Sequence, residues 1–91
     1  MKIVINSCYG GFGLSEKAVE LYVEKSGNVN FDEYDVKRND PILVAVVEVL
    51  GTDASGGCAT LKVVEIPDGV VWGIEDYDGI EWVSEFHRTW R

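Results

Sequence analysis

The chain has little of the material from which metal sites and thiol or histidine catalysis are built. Its 91 residues include one histidine, two cysteines and two prolines. A structural zinc site needs about four Cys or His ligands at short spacing, and Cys8 and Cys58 lie far apart in the sequence. We therefore expect neither a metal nor a cofactor. A reducing compartment favours free thiols, and the sequence leaves a disulfide between the two cysteines open.

Long hydrophobic runs are also absent. No apolar stretch approaches the roughly 20 residues that span a bilayer, and the first residues do not resemble a secretory signal. We therefore expect a cytoplasmic protein without membrane contact. Hydrophobic residues make up 46% of the chain, enough to predict a folded protein rather than a disordered one. Its length predicts a single domain, 1–91.

Basic residues are scarce. Eight Lys and Arg face sixteen Asp and Glu, for a net charge of −8. Such a chain is repelled by nucleic acids and anionic membranes, so the charge predicts either a basic partner or simple solubility. Between Val63 and His87 there is no lysine or arginine. The acids of that stretch are Glu65, Asp68, Glu75, Asp76, Asp78, Glu81 and Glu85.

The first half of the sequence predicts one strand and two helices. KIVIN, residues 2–6, is a short β-branched run typical of a strand. Ser15 is a candidate N-cap for an amphipathic helix that Gly27 ends. Asp40-Pro41 gives a second cap, and the apolar helix after it ends at Gly51. Residues 28–39 are polar and lack a period, which predicts a loop.

The second half predicts three strands. Residues 60–66 form a strand that ends at the turn Pro67-Asp68-Gly69, and VVWGIED and IEWVSEF follow on either side of Tyr77-Asp78-Gly79. Because strands adjacent in sequence usually pair, we expect a three-stranded antiparallel meander. The predicted fold is α+β, with both helices packed on one face of the sheet.

The last connection has two candidate registers. A two-residue turn at Asp78-Gly79 would scatter the aromatic residues over both faces, whereas a three-residue loop would place Ile74 opposite Trp82 and collect the large apolar groups on one face. We therefore predict the three-residue loop. Glu75 then lies opposite Glu81 on an acidic outer face. That face comprises Glu75, Glu81 and Glu85, with Asp76 and Asp78 nearby.

A glycine-rich loop joins the first strand to the first helix. A loop in this position can present backbone amides to a phosphate, but Glu16 stands where a dinucleotide fingerprint needs its third glycine, and no lysine completes a nucleotide-binding loop. Leu14 stands where a cysteine phosphatase needs arginine. The loop is therefore expected to be structural first, a recognition surface second and catalytic third. Its candidate site residues are Cys8, Tyr9, Gly10, Gly11, Phe12 and Gly13.

Three blocks of the sequence carry a resemblance. MKIVINSCYGGFGLSEKAVELY, NDPILVAVVEVLG and LKVVEIPDGVVWGIEDYDGIEWVSEFHRTW resemble, in this order, a family of small uncharacterised proteins of bacteriophages and prophages that share the CYGGFGLS-type loop. Members of that family can carry a longer insert where this chain has residues 28–39. The resemblance implies a phage context, and with it the cytoplasm of a bacterial host cell. It implies no activity and no catalytic residues.

Composition and context together predict a non-enzymatic binding protein. We expect the partner to be a host protein with a basic surface. The protein itself would inhibit a bacterial defence system, as an anti-CRISPR protein does, by occupying a basic nucleic-acid-binding groove. Direct nucleic-acid binding is not expected. One alternative is a small-ligand binder or enzyme that uses the glycine loop and Cys8, with His87 as the one histidine that could activate the thiol. Another is a structural or regulatory phage protein that forms a homodimer through an exposed edge strand or an aromatic patch.

Overall fold

Two helices and four strands, the strands in two antiparallel sheets, make up the fold in a computed structural model that describes residues 1–9, 11–57 and 59–85. The elements in chain order are β1 (Lys2–Asn6), α1 (Glu16–Ser26), α2 (Pro41–Leu50), β2 (Leu61–Glu65), β3 (Trp72–Tyr77) and β4 (Ile80–Glu85). A short 3-10 helix, Gly51–Ala54, follows α2 directly. None of the helices in these ranges has the length and hydrophobicity to cross a bilayer.

Both helices begin and end at the residues that the sequence predicts. The Ser15 side chain accepts a hydrogen bond from the Ala18 amide at 3.1 Å, which satisfies one of the free donors at the start of α1. Gly27 ends α1 in the left-handed conformation, with φ 72°. Asp40 caps α2 through the Ile42 amide at 2.8 Å. These local signals confirm the predicted boundaries.

Tyr22 ties the two helices together. It is buried, and its hydroxyl donates to Asp40 Oδ2 at 2.5 Å, while Asp40 Oδ1 caps α2. The ring stacks on Phe31 with centroids 4.0 Å apart. Burial, and then the hydrogen bond to Asp40, raises the pKa of Tyr22 to about 12. The Asp40 carboxylate thus caps the start of α2 and also binds the Tyr22 hydroxyl of α1.

The first sheet pairs two strands that are far apart along the chain. β1 pairs with β2 in antiparallel register, with Val4 opposite Val63. The predicted three-stranded meander is therefore wrong, because β2 pairs with β1 and not with β3. β1 consists of buried residues from Ile3 onward and needs hydrogen-bonded neighbours for its backbone. The backbone of β2 supplies hydrogen-bond partners along one side of β1, so β2 lies beside the first strand.

The core lies between this sheet and the helices. α2 packs against β1 and β2, and α1 packs against α2 and the 3-10 helix. The prediction that both helices cover one sheet face therefore holds for α2, with α1 packed chiefly on the other helix. The buried residues of this core are Val4, Leu14, Ala18, Tyr22, Leu43, Val44, Val46, Val47, Ala54 and Leu61.

β3 and β4 form a hairpin with a two-residue turn. Tyr77 lies opposite Ile80, and the turn residues Asp78 and Gly79 have φ of 53° and 93°. Positive φ at both positions is the type I′ geometry that Asp-Gly favours and that matches the twist of the strands. The predicted three-residue loop is therefore wrong. Ile74 lies opposite Val83, not Trp82.

The observed register distributes the aromatic residues over both faces. Trp72 lies opposite Glu85, whereas Trp82 lies opposite Glu75. Because successive side chains point to opposite faces of a strand, Trp72 and Trp82 project from opposite sides of the hairpin. Glu75 and Glu81 are separated in the same way. The single acidic outer face predicted from the sequence is therefore absent.

The raised pKa of Tyr22 predicts a specific loss of stability at high pH. Folding favours the neutral phenol, so its contribution is complete below the ordinary pKa near 10 and is lost as the pH rises toward about 12. The expected loss is on the order of 1–2 kcal/mol, allowing for solvent screening. Tyr22→Phe keeps the ring and removes this titration. We expect the difference in unfolding free energy between wild type and variant, measured by urea denaturation, to fall between pH 9 and 11.5.

Wild type and variant differ in this one hydroxyl group, so contributions common to both proteins cancel in that difference. A difference that stays constant across the pH range would contradict the assigned role of the Tyr22 hydroxyl.

Candidate functional site

Asn6 is the point where the hairpin meets the rest of the molecule. It is fully buried at the end of β1. Its side-chain amide donates to the carbonyl oxygens of Gly79 and Cys8, both at 2.7 Å, and its Oδ1 accepts from the Thr60 amide at 2.8 Å. A buried amide is costly unless its hydrogen bonds are made. Asn6 therefore fixes the hairpin turn, the start of the glycine loop and the approach to β2.

An ion pair beside Asn6 completes the attachment. Arg38 Nη2 lies 2.9 Å from Glu81 Oε2, and Arg38 Nη1 bonds to Glu81 Oε1. The same Oε1 accepts a hydrogen bond from the backbone amide of Asn6 at 2.8 Å. The Glu81 side chain is only 8% exposed and that of Arg38 21%. Glu81 is thus neutralised inside the protein and is no part of an open acidic surface.

Arg38 also holds the glycine loop and the edge of β1. Its guanidinium carbon lies 3.7 Å from the centroid of the Phe12 ring, a cation–π contact. Its carbonyl oxygen accepts from the Val4 amide at 2.8 Å. Arg38 and Glu81 therefore accept hydrogen bonds from backbone amides of β1 on the side away from β2. We call this cluster, Asn6, Phe12, Arg38 and Glu81, the Arg38 junction.

Three of the five predicted acidic residues remain open to solvent. Glu75, Asp76 and Asp78 are exposed near the hairpin turn, and in the described part of the chain none of them has an ion-pair partner. Asp76 shares a face with Glu81, and Glu75 lies on the other. Glu85, opposite Trp72, is half-buried. The hairpin therefore carries exposed carboxylates on both faces.

Two exposed aromatic side chains accompany Glu75 on its face. Tyr77 is 68% exposed and Trp82 is 44% exposed. By the register, Glu75 and Trp82 are directly opposite, and Tyr77 is two residues from Glu75 on the same strand. We call Glu75, Tyr77 and Trp82 the aromatic–acidic face.

Close backbone packing explains the glycines of the loop. Gly11 has φ +90°, which only glycine adopts without strain. Gly13 accepts a hydrogen bond from the Gly56 amide at 2.9 Å. A Cβ on Gly56 would lie 3.1 Å from the carbonyl carbon of Gly13. The glycine loop thus lies directly against a second glycine-rich stretch, Gly56-Gly57.

The loop's backbone amides are poorly suited to a phosphate. The Leu14 amide donates to Glu33 Oε1 at 3.2 Å, and the Ser15 amide donates to the Ala54 carbonyl at 2.9 Å. Ser15 itself caps α1, so the helix start offers few free donors. A groove of about 290 Å³ opens beside Gly11 and Gly13, and the carboxylate of Glu33 lines it. An anion there would meet like charge.

The remaining loop candidates are exposed, half-buried or outside the described ranges. Tyr9 is exposed, and Phe12 is half-buried beneath Arg38. Cys8 is half-buried, with its Sγ 3.3 Å from the Tyr9 carbonyl oxygen. Gly10, Cys58 and His87 are outside the described residues. Within those residues, no group of three or more His, Cys, Asp or Glu side chains is placed to hold a metal ion.

The sequence reasoning missed Asn6 and Arg38. A polar amide directly after an apolar strand, as in KIVIN, is a weak signal of a buried hydrogen-bonding centre. Arg38 follows an acidic stretch of loop and looks like a solvated charge. Glu81, the partner that Asn6 and Arg38 share, is 75 and 43 residues away from them along the chain, so no local pattern identifies this junction.

Removing the charge of Glu81 should destabilise the fold. Glu81→Gln keeps the shape of the side chain but leaves the guanidinium of Arg38 without its counter-charge, and breaking a buried ion pair from one side costs about 3 kcal/mol. We expect a loss of this size in unfolding free energy, measured with urea. Glu75→Gln is the matched control, because Glu75 is exposed and should change stability by less than about 0.5 kcal/mol.

A double-mutant cycle with Arg38→Met separates the pair from its surroundings. The double variant should lose clearly less than the sum of the two single variants. Equal unfolding free energies for Glu81→Gln and Glu75→Gln would contradict the role of the junction.

Adjacent glycines provide a second test of the packing. Gly56→Ala places a methyl group against backbone atoms of Gly13 and Leu14 at 3.1–3.3 Å, whereas Gly57→Ala meets nothing within 4 Å. We expect Gly56→Ala to cost about 1–3 kcal/mol through overpacking and Gly57→Ala to be nearly neutral. Thermal or urea unfolding of the two variants checks this difference. Equal effects would show that the loops do not approach so closely.

Comparison with protein-family models, with curated proteins and with solved structures gives no match to this chain. The resemblance to phage and prophage proteins therefore stays a prediction.

Proposed function

We propose that the protein acts without catalysis, by binding a protein that has a basic surface. The observation that carries this proposal is the set of exposed carboxylates on the hairpin, Glu75, Asp76 and Asp78. In the described residues no cation neutralises them, and the sequence has no lysine or arginine from 64 to 86. A basic partner would supply the missing charge.

The net charge supports an electrostatic mode of association. At −8 the chain attracts basic surfaces over a Debye length of about 8–10 Å and repels nucleic acids. Charge complementarity of this kind accelerates association and selects partners. The hairpin would make the contact, and the Arg38 junction would hold it in place.

The resemblance to phage proteins narrows the class of partner. In that context the partner would be a host protein, and a bacterial defence complex that binds nucleic acid in a basic groove fits the charge of the hairpin. The chain would occupy the groove and exclude the nucleic acid, as an anti-CRISPR-like inhibitor does. This step rests on the resemblance alone.

The alternative, a ligand site or enzyme at the glycine loop and Cys8, has less support. The Leu14 and Ser15 amides are already bonded within the protein, and Glu33 lines the adjacent groove. Phe12, at the centre of the loop, is covered by Arg38. These contacts favour a loop that joins β1 to α1 and packs against the second glycine-rich stretch at Gly56.

A charge-matched pair of variants tests the proposal. The hairpin variant carries Glu75→Lys, Asp76→Lys and Asp78→Asn, which together reverse the charge of the hairpin. Asparagine is chosen at position 78 because it tolerates the positive φ. The control carries Glu20→Lys, Glu24→Lys and Asp35→Asn, positions elsewhere on the surface with the same change in net charge. Each protein is immobilised and incubated with a bacterial lysate, and bound proteins are identified by mass spectrometry.

We expect wild type and the control to retain the same basic protein and the hairpin variant to lose it. Binding of that protein should weaken at least about tenfold between roughly 50 and 500 mM salt, on the order expected for screened ion pairs. Retention by the hairpin variant, or binding insensitive to salt, would overturn the proposal.

A further inference from the structure

We propose that the aromatic–acidic face, Glu75, Tyr77 and Trp82, binds an arginine side chain of the partner. This inference deepens the proposed function and rests on it, since it specifies which basic group the hairpin recognises. It predicts a preference for arginine over lysine that net charge alone would not produce.

The hairpin register brings the three side chains onto one face. Glu75 and Trp82 are directly opposite on β3 and β4, and Tyr77 occupies the next position of the same face along β3. Directly opposite residues have Cβ atoms about 5 Å apart, and diagonal ones about 7–8 Å, within reach of aromatic side chains. The face is therefore about as wide as one guanidinium group.

These side chains are open to a partner. Tyr77 is 68% exposed and Trp82 is 44% exposed, although residues of this size bury well in a core. Glu75 is exposed and has no ion-pair partner among the described residues. Exposed aromatic rings beside an unpaired carboxylate form a surface that a cation can complete.

The chemistry of this face fits a guanidinium better than an ammonium group. The planar guanidinium can stack on the Trp82 or Tyr77 ring and at the same time donate two parallel hydrogen bonds to the Glu75 carboxylate. A lysine ammonium is a compact, strongly hydrated charge that gains less from a ring. Arginine is also the basic residue most enriched at protein interfaces.

The same chain contains an internal example of this arrangement. In the Arg38 junction, a guanidinium lies 3.7 Å above the Phe12 ring and both of its terminal nitrogens bond to Glu81. Glu81 binds Arg38 from one face of the hairpin. On the other face, Trp82 and the carboxylate of Glu75 are exposed to solvent. The hairpin thus holds one arginine on one face and presents the elements for a second on the other.

Two blocked peptides of the same length and charge test the inference. The probes are acetyl-Gly-Arg-Gly-Arg-Gly-amide and its lysine counterpart, titrated into the ¹⁵N-labelled protein and followed by NMR. The indole N–H signal of Trp82 is assigned by its loss in Trp82→Phe. We expect weak, saturable shifts at Trp82 and around Glu75, with the arginine peptide binding about 3–5-fold more tightly than the lysine peptide.

Neighbouring acids supply the matched control. Glu75→Gln removes the carboxylate of the aromatic–acidic face, and Asp76→Asn removes the same charge from the opposite face. We expect Glu75→Gln to abolish the arginine preference and Asp76→Asn to keep it. Trp82→Leu should also abolish it. Equal affinity for the two peptides, or equal effects of Glu75→Gln and Asp76→Asn, would overturn the inference.

The two proposals can fail separately. A basic partner that is lost in the charge-reversed hairpin but shows no arginine preference contradicts only the arginine site. An arginine preference at Glu75 and Trp82, with no basic protein retained from lysate, contradicts the proposed function and leaves the site in place.

Discussion

The ion pair between Arg38 and Glu81 is the interaction on which the arrangement of this molecule depends. It joins three segments that are far apart in the sequence: the strand β1, the loop between the helices and the hairpin of β3 and β4. Neither charge would be stable in this position alone, because burying a single ion costs several kcal/mol. Asn6 adds neutral hydrogen bonds to the same junction, so the hairpin is held by directional contacts as well as by charge.

The junction also solves a problem of the small sheet. Two-stranded sheets are marginal by themselves and leave free backbone donors at their edges. On the side of β1 away from β2, the carbonyl oxygen of Arg38 and the carboxylate of Glu81 accept the Val4 and Asn6 amides. A buried strand thereby obtains hydrogen-bond partners without a third strand. Glu81 is committed to this role, which leaves the open carboxylates of the hairpin at other positions.

Local signals in the sequence were enough for the helices and for β1. Ser15 with Gly27, and Asp40 with Pro41 and Gly51, act on residues within one turn, so their effect can be predicted without knowing the fold. The pairing of β1 with β2 could not be predicted, because it joins residues about 60 positions apart and no local pattern encodes the partner. Adjacency in sequence suggested the meander instead.

The hairpin register shows which physical effect prevails when two compete. The three-residue loop was predicted because it would gather the large apolar residues onto one face. The Asp-Gly pair instead forms the two-residue turn that suits its backbone preferences, and the attachment at Gly79 and Glu81 fixes the hairpin against β1. The candidate acidic face was lost with that prediction. The carboxylates at 75, 76 and 78 were correctly expected at the surface, but not their division between two faces.

The long sequence separation of the junction has a consequence for biosynthesis. Asn6 and Glu81 are 75 residues apart, so β1 is synthesised well before the carboxylate that completes its edge. Contacts of this range close slowly. Until that carboxylate is in place, the free amides of β1 could pair with a strand of another chain.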